Sequence, residues 1–509
     1  MSTRAATLLC RATQQSGRAD WRRLLLMWGV VAAYFALNAL TQFLTSGTAD
    51  QDQAEQLLLS QTLEWGYGAQ PPLYTYLVRL AFSMFGLGLG PLLGLKVLLL
   101  SMTVGAMMTL GHRLGFSWHQ QLIGVAGYVF IPQLIWESQR DLTHSVLATS
   151  LAAATLLQVA RLADERSGSG YVALGLLIGL GLISKYNYAI FLAALLLAAG
   201  MVPAYRAWLL ERRFAITVLV ALLVVAPHFS WLLANLELAT SSAHKFKAGA
   251  GDALSGLVTA GMAALAFLTP LWLFSLLPLS ATSRSALLAV ARSGHGRFLL
   301  SLLAAVTLLV IVFVGLSEAQ QVKDRWYQPL LFYLPWVIAL FCGPTAGRRG
   351  RLYLAIAGFF ALLVAVLLPA RTLLAEKLDH YSRPNLPYPA LFERLARSID
   401  PPGYVLTETN LLAGNARPFF PHADFRVTMY SIPVRAIAGT GILICATPGC
   451  ENKKFRDWLL QACGLDPRTL AFAKLEAPYL YAPSNTLTIF WAHANLASPC
   501  MMAAGMGGN

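Results

Sequence analysis

Between Asp50 and Pro72 the chain carries four carboxylates, Asp50, Asp52, Glu55 and Glu64, and neither a lysine nor an arginine. A carboxylate held beside an acceptor hydroxyl can take its proton, and cations facing it can stabilise a phosphate leaving group as its charge grows. Residues suited to the second task stand further along: Lys185 with Tyr186 and Tyr188, then His244, Lys245 and Lys247, then Lys323, Asp324 and Arg325. Glu137, Arg140 and Asp141 add more charge. Lys and Arg are natural partners for a phosphate, and aromatic rings at a membrane interface suit a sugar or lipid path. Such a set fits sugar transfer from a lipid phosphate if the fold gathers it at one membrane face.

The elements that must do the gathering are transmembrane helices. The chain has 509 residues, 57% of them hydrophobic and only 12% charged, with a mean hydropathy of +0.57. Repeated apolar runs, not one water-soluble core, therefore set the architecture. Spans are expected near 24–44, 91–111, 120–136, 142–160, 171–187, 188–205, 214–234, 254–280, 298–317, 328–343 and 352–370. The net charge of +14 is a topology signal, not a nucleic-acid one, because the arginines fall mostly in short loops. The decisive segment is 73–87, which is short and carries Arg79. Read as an interfacial helix that does not cross, it leaves the basic N-terminus (1–23) and most loop arginines inside and the C-terminus outside. The N-terminus, with Arg4, Arg11, Arg18, Arg22 and Arg23 before the first span, reads as an uncleaved anchor.

After Arg371 the character changes. β-rich runs such as GYVLTE, FRVTMY, GILICAT and NTLTIFWA alternate with a helix-like NKKFRDWLLQACG, which predicts a small soluble α/β domain over 371–509. Cys445, Cys450, Cys463 and Cys500 all lie there. Outside the cytoplasm they could pair in three ways. No HExxH, paired CxxC, Walker loop or helix-opening GxGxxG occurs, so metal hydrolysis and nucleotide binding lack their usual motifs.

Each charged residue also has a plainer reading. Asp50 and Asp52 could open an interfacial helix as solvated acids. Asp141 could cap the span that follows, Lys185 could snorkel, and Lys323–Arg325 could be an internally paired loop. His112, His119 and His295 are expected to be solvated on the inner side.

The stretch DQAEQLLLSQTLEWGYGAQPPLYTYL resembles the first outer loop of GT-C membrane glycosyltransferases: lipid A aminoarabinose transferases, rhizobial galacturonosyltransferases and dolichyl-phosphate-mannose protein mannosyltransferases. ESQRDLTHSVLA, GLISKYNYAIF and KDRWYQPLLFYLP resemble later family landmarks in order, over about the first 370 residues; NLLAGNARPFF only loosely resembles a C-terminal one. The resemblance implies an α-helical polytopic membrane fold of about eleven spans (24–370) with interfacial helices in a periplasmic loop (45–90), and a periplasmic α/β domain. It implies an inverting glycosyltransferase of the bacterial inner membrane. The donor would be a polyprenyl-phosphate sugar and the acceptor a hydroxyl of an envelope glycolipid, glycan or protein, with no nucleic acid as partner. Carried over, Asp52 and Asp141 are the catalytic candidates. Asp50, Glu55, Tyr67 and Gln70 are candidates for acceptor or sugar, and Lys185, Tyr186, Lys323 and Arg325 for the donor phosphate. No cofactor is implied with certainty, a divalent metal being left open. Ala69 and Gln70 stand where many relatives carry a charge before the proline pair. Two other classes stay in view: a lipid-linked-sugar transporter or flippase, for which Lys96 inside a span is the main pointer, and a catalytically degenerate scaffold.

Overall fold

The computed structural model describes residues 20–241, 253–317, 319–345, 347–428 and 436–500. Arg4, Arg11, Arg18, His244, Lys245 and Lys247 lie outside the described residues.

Helix α1 (Trp21–Thr45) starts at Asp20, whose carboxylate accepts from the Arg22 amide. Two short helices follow, α2 (Gln51–Leu59) and α3 (Leu73–Phe85), then α4 (Leu89–Arg113) and α5 (Trp118–Gly127). The bundle continues with α6 (His144–Asp164), α7 (Gly168–Leu182), α8 (Tyr188–Met201), α9 (Pro203–Leu209) and α10 (Phe214–Ala234). It closes with α11 (Ala253–Leu268), α12 (Leu271–Leu279), α13 (Gly294–Ser317), α14 (Leu334–Phe341) and α15 (Arg348–Leu373).

Six of these, α1, α4, α6, α10, α13 and α15, are long and apolar enough to cross a membrane, and the bent pairs α8–α9 (115°) and α11–α12 (58°) bring the number to eight. The remaining three segments in the expected count of eleven are short or broken. Helix α7 has 15 residues, α5 gives way to a 3-10 turn at Tyr128–Phe130 and a π turn at Gln133–Glu137, and helix 328–331 is separated from α14. Pro132 and Pro335 stand at these breaks, where a missing N–H interrupts the ladder. Glycine permits close helix packing: a Cβ on Gly175 or Gly179 of α7 would fall 2.7 Å from Thr217 O or 2.6 Å from Val224 Cβ of α10. His119, expected to be solvated, is buried instead, its ring 2.7 Å from where a Cβ on Gly350 would sit.

Trp21 and His112 rings meet at 4.4 Å at one end of the α1–α4 pair, and Phe43 approaches Gly90 at the other. The C-terminal domain sits at the second end. Its elements are α16 (Tyr388–Ser398), β1 (Tyr404–Thr407), α17 (Asn410–Ala416), β2 (Asp424–Arg426), β3 (Ile437–Cys445), α18 (Lys453–Cys463), β4 (Ala473–Tyr479) and β5 (Ala482–Cys500). The sheet order is β2-β1-β3-β5-β4; β1 pairs in parallel with β2 and β3, while β5 pairs antiparallel with β3 and β4. Strand alternation splits the core: Val405, Ile442 and Ile444 pack with Phe392 and Leu412 on one face, and Leu406, Leu443 and Cys445 with Phe455 and Leu459 on the other. The four expected strands and the helix are present; β4 was not anticipated. Of the three ways to pair the cysteines, the domain uses Cys445–Cys450 and Cys463–Cys500.

Candidate active site

Helix α2 is where the molecule's cores meet. Successive helical residues point about 100° apart, and its three consecutive leucines enter three different clusters. Leu57 joins the transmembrane core, Leu58 the C-terminal domain and Leu59 a small cluster with Tyr67. Asp50 caps the helix in a reciprocal capping box with Gln53. Its carboxylate also pairs with Arg383 at 2.6 Å and Arg140 at 3.8 Å. The plain reading of Asp50 as a helix-opening acid is thus correct for its capping, but the residue is buried, not solvated.

Asp141 does not cap its own span, which begins at His144. Its Oδ1 accepts the backbone N–H of Asp52 at 2.8 Å, so a carboxylate from the second loop sits on the N-terminus of α2, where free amides and the helix dipole favour an anion. The Asp52 carboxylate makes no hydrogen bond among the described residues. Burial pushes Asp52 up to about 6, with help from Glu55 one turn on, against the pull of Arg325, Lys185 and Lys96. Burial likewise pushes Asp141 up to about 7, reinforced by Asp52 and Asp50.

Three cations from three elements act on Asp52. Lys185 lies in the α7–α8 turn, its Nζ donating to Ser145 Oγ at 2.5 Å; burial and then Arg325 lower it to about 8. Arg325 sits on the late loop, which Gln133 holds through Asp324 (2.5 Å) and Asn187 through the Trp326 carbonyl (2.7 Å). Lys96 enters from α4, about 10 Å along the helix from its start at Leu89. It is 4% exposed and its Nζ has no hydrogen-bond partner among the described residues.

Other predicted residues are placed less centrally. Lys323 is exposed and forms no ion pair among the described residues. Tyr186 is partly exposed and stacks on His228 at 5.9 Å. Tyr67 is buried and spends its hydroxyl on the Thr62 carbonyl and the Glu64 amide, while its backbone bridges Gln70; both hold the loop's shape. Sequence reasoning did not anticipate the C-terminal clamps on α2. Asn415 bonds both the N–H and C=O of Ala49 at 2.8 and 3.1 Å, Arg417 donates to the Leu57 carbonyl and Ser60 Oγ, and Gly414 lies so close that a Cβ would meet Ala54 O at 2.0 Å. Lys96 and the loosely matching NLLAGNARPFF were the available signals. Among the described residues no group of three or more His, Cys, Asp or Glu side chains is arranged to hold a metal ion.

Carboxylates influenced by several cations can deprotonate a hydroxyl and stabilise a departing phosphate. Comparisons with known proteins agree with that chemistry. A family model described as dolichyl-phosphate-mannose-protein mannosyltransferase matches residues 69–231. The lipopolysaccharide core galacturonosyltransferase RgtB of Rhizobium johnstonii is 33% identical over 409 residues, covering 78% of this chain and 81% of the relative. RgtA of the same organism is 30% identical over 420 residues, 79% and 82% of the two chains. The crystal structure of ArnT from Cupriavidus metallidurans bound to undecaprenyl phosphate superposes with a TM-score of 0.56 at 13% identity, over 94% of this chain and 100% of that one, a likeness of fold.

Proposed function

The chain belongs to the GT-C fold, polyprenyl-phosphate-dependent membrane glycosyltransferases, and from that membership we propose that it moves an acidic sugar, galacturonic acid by kinship with RgtA and RgtB, onto a hydroxyl of a lipopolysaccharide-core glycolipid. In this reading the protein crosses the bacterial inner membrane eleven times over 24–370, with residues 1–23 inside and the 45–90 loop and the 371–509 domain on the periplasmic side. The two disulfides support that placement, because such bonds persist in oxidising compartments.

The observation that carries the mechanism is the Asp52 carboxylate, free of hydrogen bonds among the described residues and influenced by Lys96, Lys185 and Arg325. Asp52 takes the proton of the acceptor hydroxyl as its oxygen attacks the anomeric carbon. The bond from that carbon to the phosphate oxygen breaks, and its electron pair leaves with the polyprenyl phosphate. The three cations stabilise the growing phosphate charge, and a single displacement inverts the anomeric centre. Asp141 acts through α2, fixing where Asp52 stands. Asp50 and Tyr67 shape the loop, and Glu55 and Gln70 are assigned to sugar or acceptor.

Core lipid is to be extracted from cells with and without the protein, and from cells carrying Asp52→Asn, and weighed by mass spectrometry. Loss of one hexuronic acid from the core in both the deletion and the variant is expected, with polyprenyl-phosphate hexuronate accumulating. Wild-type core from cells making Asp52→Asn would remove Asp52 from the base role.

A further inference from the structure

At the end of the bundle away from the C-terminal domain, where Trp21 meets His112, an open cleft of about 480 Å³ lies between α4, α6 and α7. Its lining includes Arg113, Gln158, Arg161, Glu165, Ser167 and Ser169. Arg161 stands about 25 Å along α6 from His144, so the cleft is no part of the reacting centre.

Arginines outnumber acids around it. Asp164 and Glu165 share Arg113 at 3.5 and 3.3 Å, and Arg166 and Arg213 share Glu211 at 3.9 and 3.5 Å. Arg161, Arg206 and Arg212 form no ion pair among the described residues, and of these three only Arg161 lines the cleft. The serines add a hydroxyl donor. Ser167 Oγ accepts the Gly170 N–H at 3.1 Å and lies 3.3 Å from Ser169 Oγ; two hydroxyls that share one hydrogen bond leave one proton to donate. A free guanidinium beside a free hydroxyl calls for an oxyanion, and its fork suits a phosphate.

Below the cleft the same helix faces turn apolar. Following the helical repeat from Arg113, α4 presents Thr109, Ala106 and Met102; from Arg161 and Gln158, α6 presents Ala154 and Leu151; from Ala173, α7 presents Leu176. All six are partly or fully exposed, Met102 and Leu176 by 48% and 43%, and in a membrane-spanning bundle such faces meet lipid. Cations at the mouth, an amide beneath them and then an apolar strip follow the order of phosphate, glycerol and acyl chain in a phospholipid.

We propose that this cleft binds one anionic phospholipid, its phosphate held by Arg161 with Arg113 and a serine hydroxyl, and its acyl chain lying along the exposed strip of α4, α6 and α7. Basic pockets between spanning helices at the inner face suit such headgroups, and in the topology proposed above this end faces the cytoplasm. The site serves no step of the transfer chemistry. A lipid seated there bridges α4 to α7, which both pack on α6, and so strengthens the end of the bundle remote from Asp52.

The test uses the full-length protein, delipidated in detergent and titrated with phosphatidylglycerol or with phosphatidylcholine of the same acyl chains. Bound lipid is counted by native mass spectrometry, and the unfolding temperature is followed in the same mixtures. Wild type is expected to bind one phosphatidylglycerol about tenfold more tightly than phosphatidylcholine, the worth of a charge-assisted hydrogen bond, and to melt higher with it. Arg161→Gln, at an exposed position, is expected to lose that preference. Arg212→Gln, which removes an equal charge from the same end but outside the cleft, is expected to keep it. Ala154→Phe leaves every charge in place and fills the strip, and is expected to weaken phosphatidylglycerol binding. Equal preference in wild type and Arg161→Gln overturns the proposal. Equal losses in Arg161→Gln and Arg212→Gln overturn it too, because they would mean diffuse attraction to a basic surface. Stabilisation by inorganic phosphate as large as by phosphatidylglycerol would make the ligand a free anion and also overturn it.

Discussion

In the proposed mechanism Asp52 acts as a base only when ionised, and burial pushes it up to about 6, which places the acid limb of activity between about pH 5 and 7. Activity is expected to rise with pH through that interval. Glu55→Gln removes a negative charge that holds Asp52 up, so the limb should move to lower pH. Lys185→Met removes a positive charge that holds it down, so the limb should move to higher pH while the maximal rate also falls. The pH profile of kcat/KM in each variant checks both signs, and a limb that stays in place in both would detach it from Asp52. Lys96→Met deletes a cation at the reacting centre, and a loss of transfer of roughly a hundredfold or more is expected in the same assay. Asp52, Asp141 and Lys185 stood out in the sequence as candidates because an acid or cation beside an apolar run is conspicuous. Lys96 was noticed for the same reason but read as a mark of transport. The ion pair of Asp50 with Arg383 was not legible, because the partner lies 333 positions away and no local pattern reports such a contact.

Helix α2 has nine residues, too few to persist alone in water, so its position is set by what grips it. Asn415 satisfies the Ala49 N–H and C=O, and Asn415→Leu leaves both without that partner at a cost of about 1–3 kcal/mol each. Gly414→Val places atoms inside the van der Waals surface of Ala54 and must shift one helix from the other. Both variants are expected to insert normally, to be cut faster by protease within the 45–72 loop, and to lose most transfer activity. Unchanged proteolysis together with unchanged transfer would show that the grip is unnecessary. The long helices were readable from hydropathy alone. The broken ones were drawn as full spans because apolar composition does not register an interruption, and the prolines at 132 and 335 were the overlooked sign. Strand β4, AKLEAPY, was missed because its burial does not alternate cleanly, leaving little of the period-two signal.

The bundle carries the cations that act on Asp52, and the C-terminal domain grips the acid-bearing loop. Under the proposed mechanism, folding of that domain is therefore expected to be a condition of activity. The Cys463–Cys500 bond closes a 37-residue separation, and Cys463→Ser with Cys500→Ser should lower the domain's stability by roughly 3–4 kcal/mol. In the full chain this predicts a lower inactivation temperature and weaker transfer, with membrane insertion intact. In a chain with Cys10 and Cys342 replaced by serine, Cys445, Cys450, Cys463 and Cys500 should resist maleimide in intact cells until a reductant is added; labelling without reductant would count against the periplasmic placement. Dependence of the bundle on this domain was invisible in the sequence, where the two differ so sharply in composition that they read as independent units. One contact has a practical consequence. Because α2 is anchored to Asp141 through the Asp52 main chain and not its side chain, replacing that side chain leaves the anchor in place. Asp52→Asn should thus yield a correctly built but idle enzyme, able to hold donor and acceptor together without reacting, and suited to capturing the ternary complex for direct visualisation.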